Sequence, residues 1–119
     1  MQRNWSLIRD ILEALEEKQI DDVLRPKEIK GYSEEEVSYH LLLLHEAGLI
    51  VAKCQEQRPG QKVFCLGLRI TWEGYELLEA MRSKRLWNRL KERLSQAGIQ
   101  VSLTAIKAII SEVTKEILT

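Results

Sequence analysis

The feature that most constrains the fold of this chain is one helix whose two ends are both marked in the sequence. Ser33 is followed by three glutamates, the pattern of a capping box in which the Ser33 hydroxyl accepts a backbone N–H of the first turn and Glu36 reaches back to Ser33. Gly48 stands at the other end, and glycine commonly terminates helices because it adopts positive φ without steric cost. The pattern predicts a helix over residues 34–47. Its core face carries Val37, Leu41 and Leu44.

Two short apolar segments follow this helix. Residues 49–55 and 63–70 are separated by a polar turn that contains Pro59 and Gly60. Such a pattern is typical of a β-hairpin. A two-residue loop at Pro59 and Gly60 would set Cys54 opposite Cys65 on the neighbouring strand.

The other segments are predicted to be helical. Asn4 begins an amphipathic stretch over residues 4–18, and Thr71 precedes another over residues 72–83; both residue types favour the N-cap position. A further helix is predicted over residues 84–97, and a last one begins at Ser102. The last helix has apolar residues at heptad spacing, which suits packing on a neighbour in the same chain or in a partner. These residues are Leu103, Ile106, Ile110, Val113 and Ile117.

The order of these elements resembles a winged helix-turn-helix. Residues 46–50, Glu-Ala-Gly-Leu-Ile, resemble the end of a recognition helix and the start of a wing strand, and residues 68–74 resemble the end of the second wing strand and the Thr-capped helix after it. The resemblance implies a mainly α fold with a small β-hairpin (α+β). It places a winged-helix domain over residues 1–83 and a C-terminal helical extension over residues 84–119, packed on that domain or mediating dimerisation. Pro26 and Gly31 leave room for only a short supporting helix.

The chain also resembles DUF2513, a phage and bacterial family of unknown function. The matching segments are the opening helix over residues 3–15, residues 31–41, residues 46–50 and residues 68–74. Together they span most of the chain. The resemblance implies the fold and a phage or prophage setting, but no activity, because the family has no established one.

Composition points to a soluble domain. The chain has 119 residues, of which 45% are hydrophobic and 30% charged, enough for one domain with a core. No apolar stretch approaches the roughly 18 residues that span a bilayer, and the first residues lack a signal-peptide pattern. We therefore expect a cytoplasmic protein. In that compartment Cys54 and Cys65 are expected to be free thiols, although a cross-strand disulfide is conceivable.

Catalytic and metal-binding motifs are missing from the sequence. The two cysteines and the two histidines, His40 and His45, lack zinc-ligand spacing. No nucleophile elbow, phosphate-binding loop, zinc-protease motif or dinucleotide fingerprint occurs. We predict that the protein is not an enzyme and uses no metal, no cofactor and no small-molecule substrate.

The predicted recognition helix is poor in groups that read DNA. Between Ser33 and Ala47 there is no lysine or arginine, and there are four glutamates. Base readout most often uses Arg, Lys, Asn or Gln. The alternative interpretation is that the glutamates complement the helix N-terminus. The positions expected to face a major groove are Glu34, Glu35, Ser38, Tyr39 and Leu42.

Basic residues are concentrated elsewhere in the chain. The net charge is formally zero, so DNA affinity requires that the charge be segregated. Six basic residues and one acidic residue lie between positions 82 and 93, although this pattern also fits a solvated helix face. The predicted nucleic-acid-binding residues are Lys53, Arg58, Lys62, Arg82, Lys84, Arg85 and Arg89, with Ser38 and Tyr39 from the recognition helix.

Two functions are compatible with this sequence. The first is a DNA-binding transcriptional regulator, related to phage, that holds double-stranded DNA with the wing and the basic helix. The second is a protein–protein interaction module or homodimer without DNA binding, which the acidic recognition helix favours. The predicted protein contacts are Tyr39, Leu42, Leu43, Ile106, Ile110, Val113 and Ile117.

Overall fold

The computed structural model describes residues 2–55, 59–60 and 62–97, with the backbone alone at residues 90 and 93–97, and five further positions, 107, 108, 111, 112 and 115. This part is mainly helical with one two-stranded antiparallel sheet, which confirms the α+β class. The elements are α1 (Trp5–Glu17), a 3-10 helix (Pro26–Glu28), α2 (Glu34–Glu46), β1 (Ile50–Cys54), β2 (Cys65–Ile70), α3 (Trp72–Arg82) and α4 (Lys84–Ala97). Arg58 and the predicted heptad face of Ile106, Ile110, Val113 and Ile117 lie outside the described residues.

The chain divides into two compact units, Met1–Glu76 and Leu77–Thr119. The predicted division after residue 83 stays a prediction. Within the described ranges, no helix is both long enough and apolar enough to cross a membrane.

Helix α1 begins where the sequence predicts. The Asn4 side chain accepts hydrogen bonds from the backbone N–H groups of Ser6 and Leu7. One face of α1 is buried, and this helix contacts α2 and β2. Each buried leucine or isoleucine side chain stabilises the fold by about 1.5–3 kcal/mol. The buried residues of α1 are Leu7, Ile8, Ile11, Leu12 and Leu15.

Helix α2 lies at the centre of the first unit, where it contacts α1, the 3-10 helix and both strands. The Ser33 hydroxyl accepts the Glu36 backbone N–H at 3.1 Å, which confirms the predicted N-cap. At the other end Gly48 adopts a φ of +77°, and its N–H donates to the His45 carbonyl. The chain then reverses and enters β1.

The hairpin contains a β-bulge. Val51 pairs with Arg69, but Ala52 pairs with Gly67, so Leu68 is an extra residue on β2. On its other side Gly67 forms an isolated antiparallel bridge with Leu24. The segment before the 3-10 helix therefore lies beside β2, as a third strand would.

The structure corrects our expectation of free thiols. Cys54 and Cys65 are directly opposite in the register, their Cα atoms are 4.1 Å apart, and a disulfide joins them. The Gln55 N–H donates to the Phe64 carbonyl, so the adjacent pair is hydrogen-bonded and the cysteine pair is of the non-hydrogen-bonded type. Facing side chains approach most closely at such positions.

Helix α3 is anchored to the end of α2 through Thr71. The Thr71 hydroxyl accepts the Gly74 N–H at 3.1 Å and donates to the Gly48 carbonyl at 2.7 Å. The predicted cap at Thr71 is therefore confirmed. The Thr71 backbone N–H also donates to the Leu49 carbonyl, so the start of α3 is held against the start of β1.

An ion-pair cluster joins the end of α1 to the 3-10 helix. The Lys18 ammonium is hydrogen-bonded to the carboxylates of Glu28 and Asp22. The bond to Lys18 lowers the pKa of Glu28 and raises the pKa of Lys18. The pKa of Asp22 is lowered first by the Val23 backbone N–H and then by the Lys18 charge.

Candidate nucleic-acid interface

The exposed surface of α2 is acidic at the positions where a recognition helix would face DNA. Glu34 and Glu35 are exposed, and Tyr39 and Leu42 are half-buried. Ser38 is only 1% exposed, and its hydroxyl accepts the Cys65 backbone N–H at 3.3 Å. The Ser38 hydroxyl therefore lies inside the protein and not on the exposed surface of α2.

Both histidines support the fold. His40 is 0% exposed, its Nε2 accepts the Asn4 backbone N–H at 2.9 Å, and its Nδ1 lies 2.8 Å from the Glu36 carbonyl oxygen. A neutral ring with its proton on Nδ1 satisfies both contacts. The exposed His45 accepts the Ala52 N–H on Nδ1. Among the described residues, no cluster of His, Cys, Asp and Glu could hold a metal ion.

One predicted cation of the wing, Lys62, is paired with an acid of α2. The Lys62 ammonium lies 3.7 Å from the Glu35 carboxylate. Because both side chains are well exposed, the pair contributes at most about 1 kcal/mol to stability. In this pair the positive charge of a wing lysine is balanced by the negative charge of a glutamate on α2.

The outer face of the hairpin carries a basic residue that the sequence analysis missed. Simple alternation from the buried Cys65 would point residue 69 inward, but the bulge at Leu68 shifts the phase and leaves Arg69 exposed. Because Val51 pairs with Arg69 and lies two positions from Lys53 on β1, Lys53 and Arg69 share this face. We call these two side chains the hairpin basic pair.

Helix α4 presents a second basic surface. Leu86 and Trp87 are buried, and the Lys91 ammonium lies 5.7 Å from the centre of the Trp87 ring. The exposed arc also carries Asn88 and Glu92. We define the α4 basic face as Lys84, Arg85, Arg89 and Lys91, all of which are exposed.

The α4 basic face includes a like-charge pair. Arg85 and Arg89 are one turn apart on the helix, a spacing that costs a few tenths of a kcal/mol for like charges. Arg82, the last residue of α3, is exposed as well. A row of basic residues of this kind favours the binding of an extended anion along the helix.

Comparison with known proteins places this chain in a family. The model of the family described as "Hypothetical protein (DUF2513)" matches residues 2–100. The chain belongs to the DUF2513 family. It is also similar to an uncharacterized protein of Haemophilus influenzae, with 36% identity over 119 residues that cover 99% of each chain. No solved structure matches.

In this DUF2513 protein the charges are unevenly distributed. Helix α4 contains five basic residues and one acidic residue, whereas α2 contains four glutamates and neither lysine nor arginine. The whole chain has no formal net charge, so the surplus on α4 is balanced by acids elsewhere. Neither the family description nor the relative's name states a function, and the distribution of charge is therefore the main guide to one.

Proposed function

We propose that this protein binds double-stranded DNA through phosphate contacts made by the α4 basic face, helped by the hairpin basic pair. The observation that carries the proposal is the α4 basic face itself, four exposed basic residues within two turns of helix in a chain with no net charge. Each phosphate neutralised by such residues releases counterions, and this release supplies most of the affinity of non-specific DNA binding.

The order of elements supports a scaffold of winged-helix type. Helix α1, the Leu24 bridge, the 3-10 helix, α2 and the β1–β2 hairpin follow one another as the helices and strands of a winged helix do. The supporting helix before α2 is reduced to Pro26–Glu28, in line with the short helix that Pro26 and Gly31 predict. A transcriptional regulator of phage origin remains the specific form of this proposal.

Helix α2 has a minor part in this mechanism. Glu34 and Glu35 would face phosphates if α2 entered the major groove, and the resulting repulsion would weaken binding. A glutamate accepts a hydrogen bond from the amino group of cytosine, so a limited base preference is compatible with this helix. We therefore expect affinity to come from the DNA backbone and sequence discrimination to be weak.

A protein-interaction module is the alternative function. Tyr39, Leu42 and Leu43 are half-buried on α2, with exposed Glu35 and Glu46 on the same helix. A partly apolar surface beside acids fits a protein partner better than it fits DNA. This alternative predicts no affinity for DNA even at low salt.

Charge reversal on α4 tests the proposal. Fluorescence anisotropy would compare the wild-type chain with Arg85→Glu/Arg89→Glu on a random 25-base-pair duplex at low salt. Loss of two phosphate contacts and addition of two like charges should weaken binding at least about tenfold and reduce the salt slope by about 2.

The matched control is Lys27→Glu/Lys30→Glu, which makes the same change in net charge at two exposed positions outside α4 and the hairpin. It should bind nearly as well as the wild-type chain. Equal losses in both variants would mean that only net charge matters, and would remove the α4 basic face as the site.

A further inference from the structure

Helix α3 carries an exposed stripe that the proposed DNA contact does not use. Trp72 is 80% exposed and Tyr75 is 41% exposed, and Glu76 and Glu79 are exposed on the same helix. These four positions are spaced i, i+3, i+4 and i+7, so they lie on one face of α3. We call them the α3 aromatic stripe.

The polar group of Trp72 already has a partner within this stripe. Its indole N–H donates to the Glu76 carboxylate one turn later, at 2.9 Å. The apolar surface of the ring is exposed to solvent. A tryptophan at 80% exposure leaves a large apolar area in water, and aromatic rings of this size dominate interfaces when they are covered. The carboxylates of Glu76 and Glu79 lie on the same face as the two rings, and they favour a cationic partner.

We propose that the α3 aromatic stripe of one copy of this chain binds the α4 basic face of a second copy. The two surfaces are complementary in two properties, and both are accessible. The carboxylates of Glu76 and Glu79 match the guanidinium groups of Arg85 and Arg89, which form charge-assisted hydrogen bonds with carboxylates. The rings of Trp72 and Tyr75 provide faces on which such cations stack. Both surfaces are exposed in the single chain.

The association is expected to be weak and reversible. Two aromatic rings and a few ion pairs bury less area than a stable dimer requires, and interfaces of this size belong to transient complexes. Because the same α4 basic face is our proposed DNA contact, duplex DNA should compete with the second copy. The self-association itself does not depend on the proposed function and is tested without DNA.

A charge exchange between two variants tests the pairing of these surfaces. One variant carries Glu76→Lys/Glu79→Lys and the other Arg85→Glu/Arg89→Glu, and each full-length chain is examined by sedimentation velocity over a range of concentrations at low salt.

The wild-type chain should self-associate, with a dissociation constant that rises with salt. Each variant alone should associate at least about tenfold more weakly, because like charges then face each other. An equimolar mixture should restore association, because the exchanged charges again attract.

Two controls separate pairing from other effects. Asp21→Lys/Glu46→Lys makes the same change in net charge at exposed positions outside α3 and should associate as the wild-type chain does. Trp72→Ala removes the most exposed ring without changing charge, and it should weaken association while the far-ultraviolet circular dichroism stays unchanged.

Three results would overturn the proposal. They are a wild-type chain that stays monomeric at low salt up to about millimolar concentration, association that persists in Trp72→Ala, and a mixture of the two charge variants that fails to associate. If a charge variant does not fold, the Trp72→Ala result alone decides.

Discussion

At the scale of single residues, the start of α3 lies so close to the backbone at Leu49 that there is no room for a side chain at position 74. A Cβ atom added at Gly74 would lie 2.0 Å from the Leu49 carbonyl oxygen, a distance that no rotamer change relieves. Gly67 also lies in the core, but there an added Cβ would meet the Leu15 side chain at 3.0 Å. Side chains adjust more easily than backbone, so the two glycines should respond differently to the same substitution.

We predict that Gly74→Ala lowers the free energy of unfolding by about 2 kcal/mol or more, because α3 must move away from β1. Gly67→Ala, the matched control, should cost less. Urea denaturation of the two variants measures both losses. Equal losses, or a larger loss for Gly67→Ala, would show that the start of α3 does not approach β1 this closely.

The two histidines provide a second pair of residues for comparison. Each accepts one backbone N–H, but His40 is buried and His45 is exposed. His40→Leu leaves the Asn4 N–H without its acceptor, which should lower stability by about 1–3 kcal/mol. At His45→Leu water replaces the lost acceptor, so the loss should be below about 1 kcal/mol. Chemical denaturation that ranks the two variants in the opposite order would contradict the buried position of His40.

At the scale of elements, the features that depend on neighbouring residues could be predicted from the sequence, whereas those that depend on tertiary contacts could not. The caps at Asn4, Ser33 and Thr71 were predictable because each depends on residues within one helical turn. The hairpin followed from its apolar segments and its turn. The bulge at Leu68, and with it the exposure of Arg69, could not be predicted, because it depends on how β2 fits against the Leu24 segment and the core.

The site was less predictable than the fold for the same reason. Ser38 was expected at a DNA surface because of its place in the helix, but the register of β2 places the Cys65 N–H beside it. The disulfide likewise depends on the register, whereas our expectation of free thiols came from the compartment alone. The exposure of the α4 basic face agrees with the periodicity of that helix.

The disulfide should stabilise the hairpin measurably. It closes a loop with a sequence separation of 11, for which the chain-entropy model gives about 2–3 kcal/mol. We predict that the oxidised chain resists urea better than the reduced chain by about this amount. Cys54→Ser should show the stability of the reduced chain and no response to reductant. Quantitative thiol titration of the unfolded, non-reduced protein should find no free thiol, and two free thiols would contradict the disulfide.

The ion-pair cluster after α1 should make the fold sensitive to acid. The pKa values of Glu28 and Asp22 are lowered in the folded state, so their contribution is present above their unfolded pKa values and is lost as the pH falls through the folded ones. Thermal unfolding between pH 6 and pH 2.5 should show this loss. Glu28→Gln should reduce the loss, whereas Glu46→Gln, at an exposed position outside the cluster, should leave it unchanged. An acid response that is the same in both variants would contradict this assignment.

At the scale of the whole molecule, the proposed DNA binding depends on separated charge. A chain with 18 basic and 18 acidic side chains has no net attraction for DNA, so binding requires that the α4 basic face and the hairpin basic pair act locally. The glutamates of α2 and of the α3 aromatic stripe belong to other helices. This separation underlies both the proposed DNA contact and the proposed self-association.

The most direct test of DNA binding is the salt dependence of the wild-type affinity for a random duplex, measured by fluorescence anisotropy from about 20 to 200 mM salt. About three to five phosphate contacts predict a log–log slope between about −2.7 and −4.5, since each contact contributes about −0.9. Binding with such a slope would support the account. A chain that does not bind even at the lowest salt would contradict it and favour the protein-interaction module.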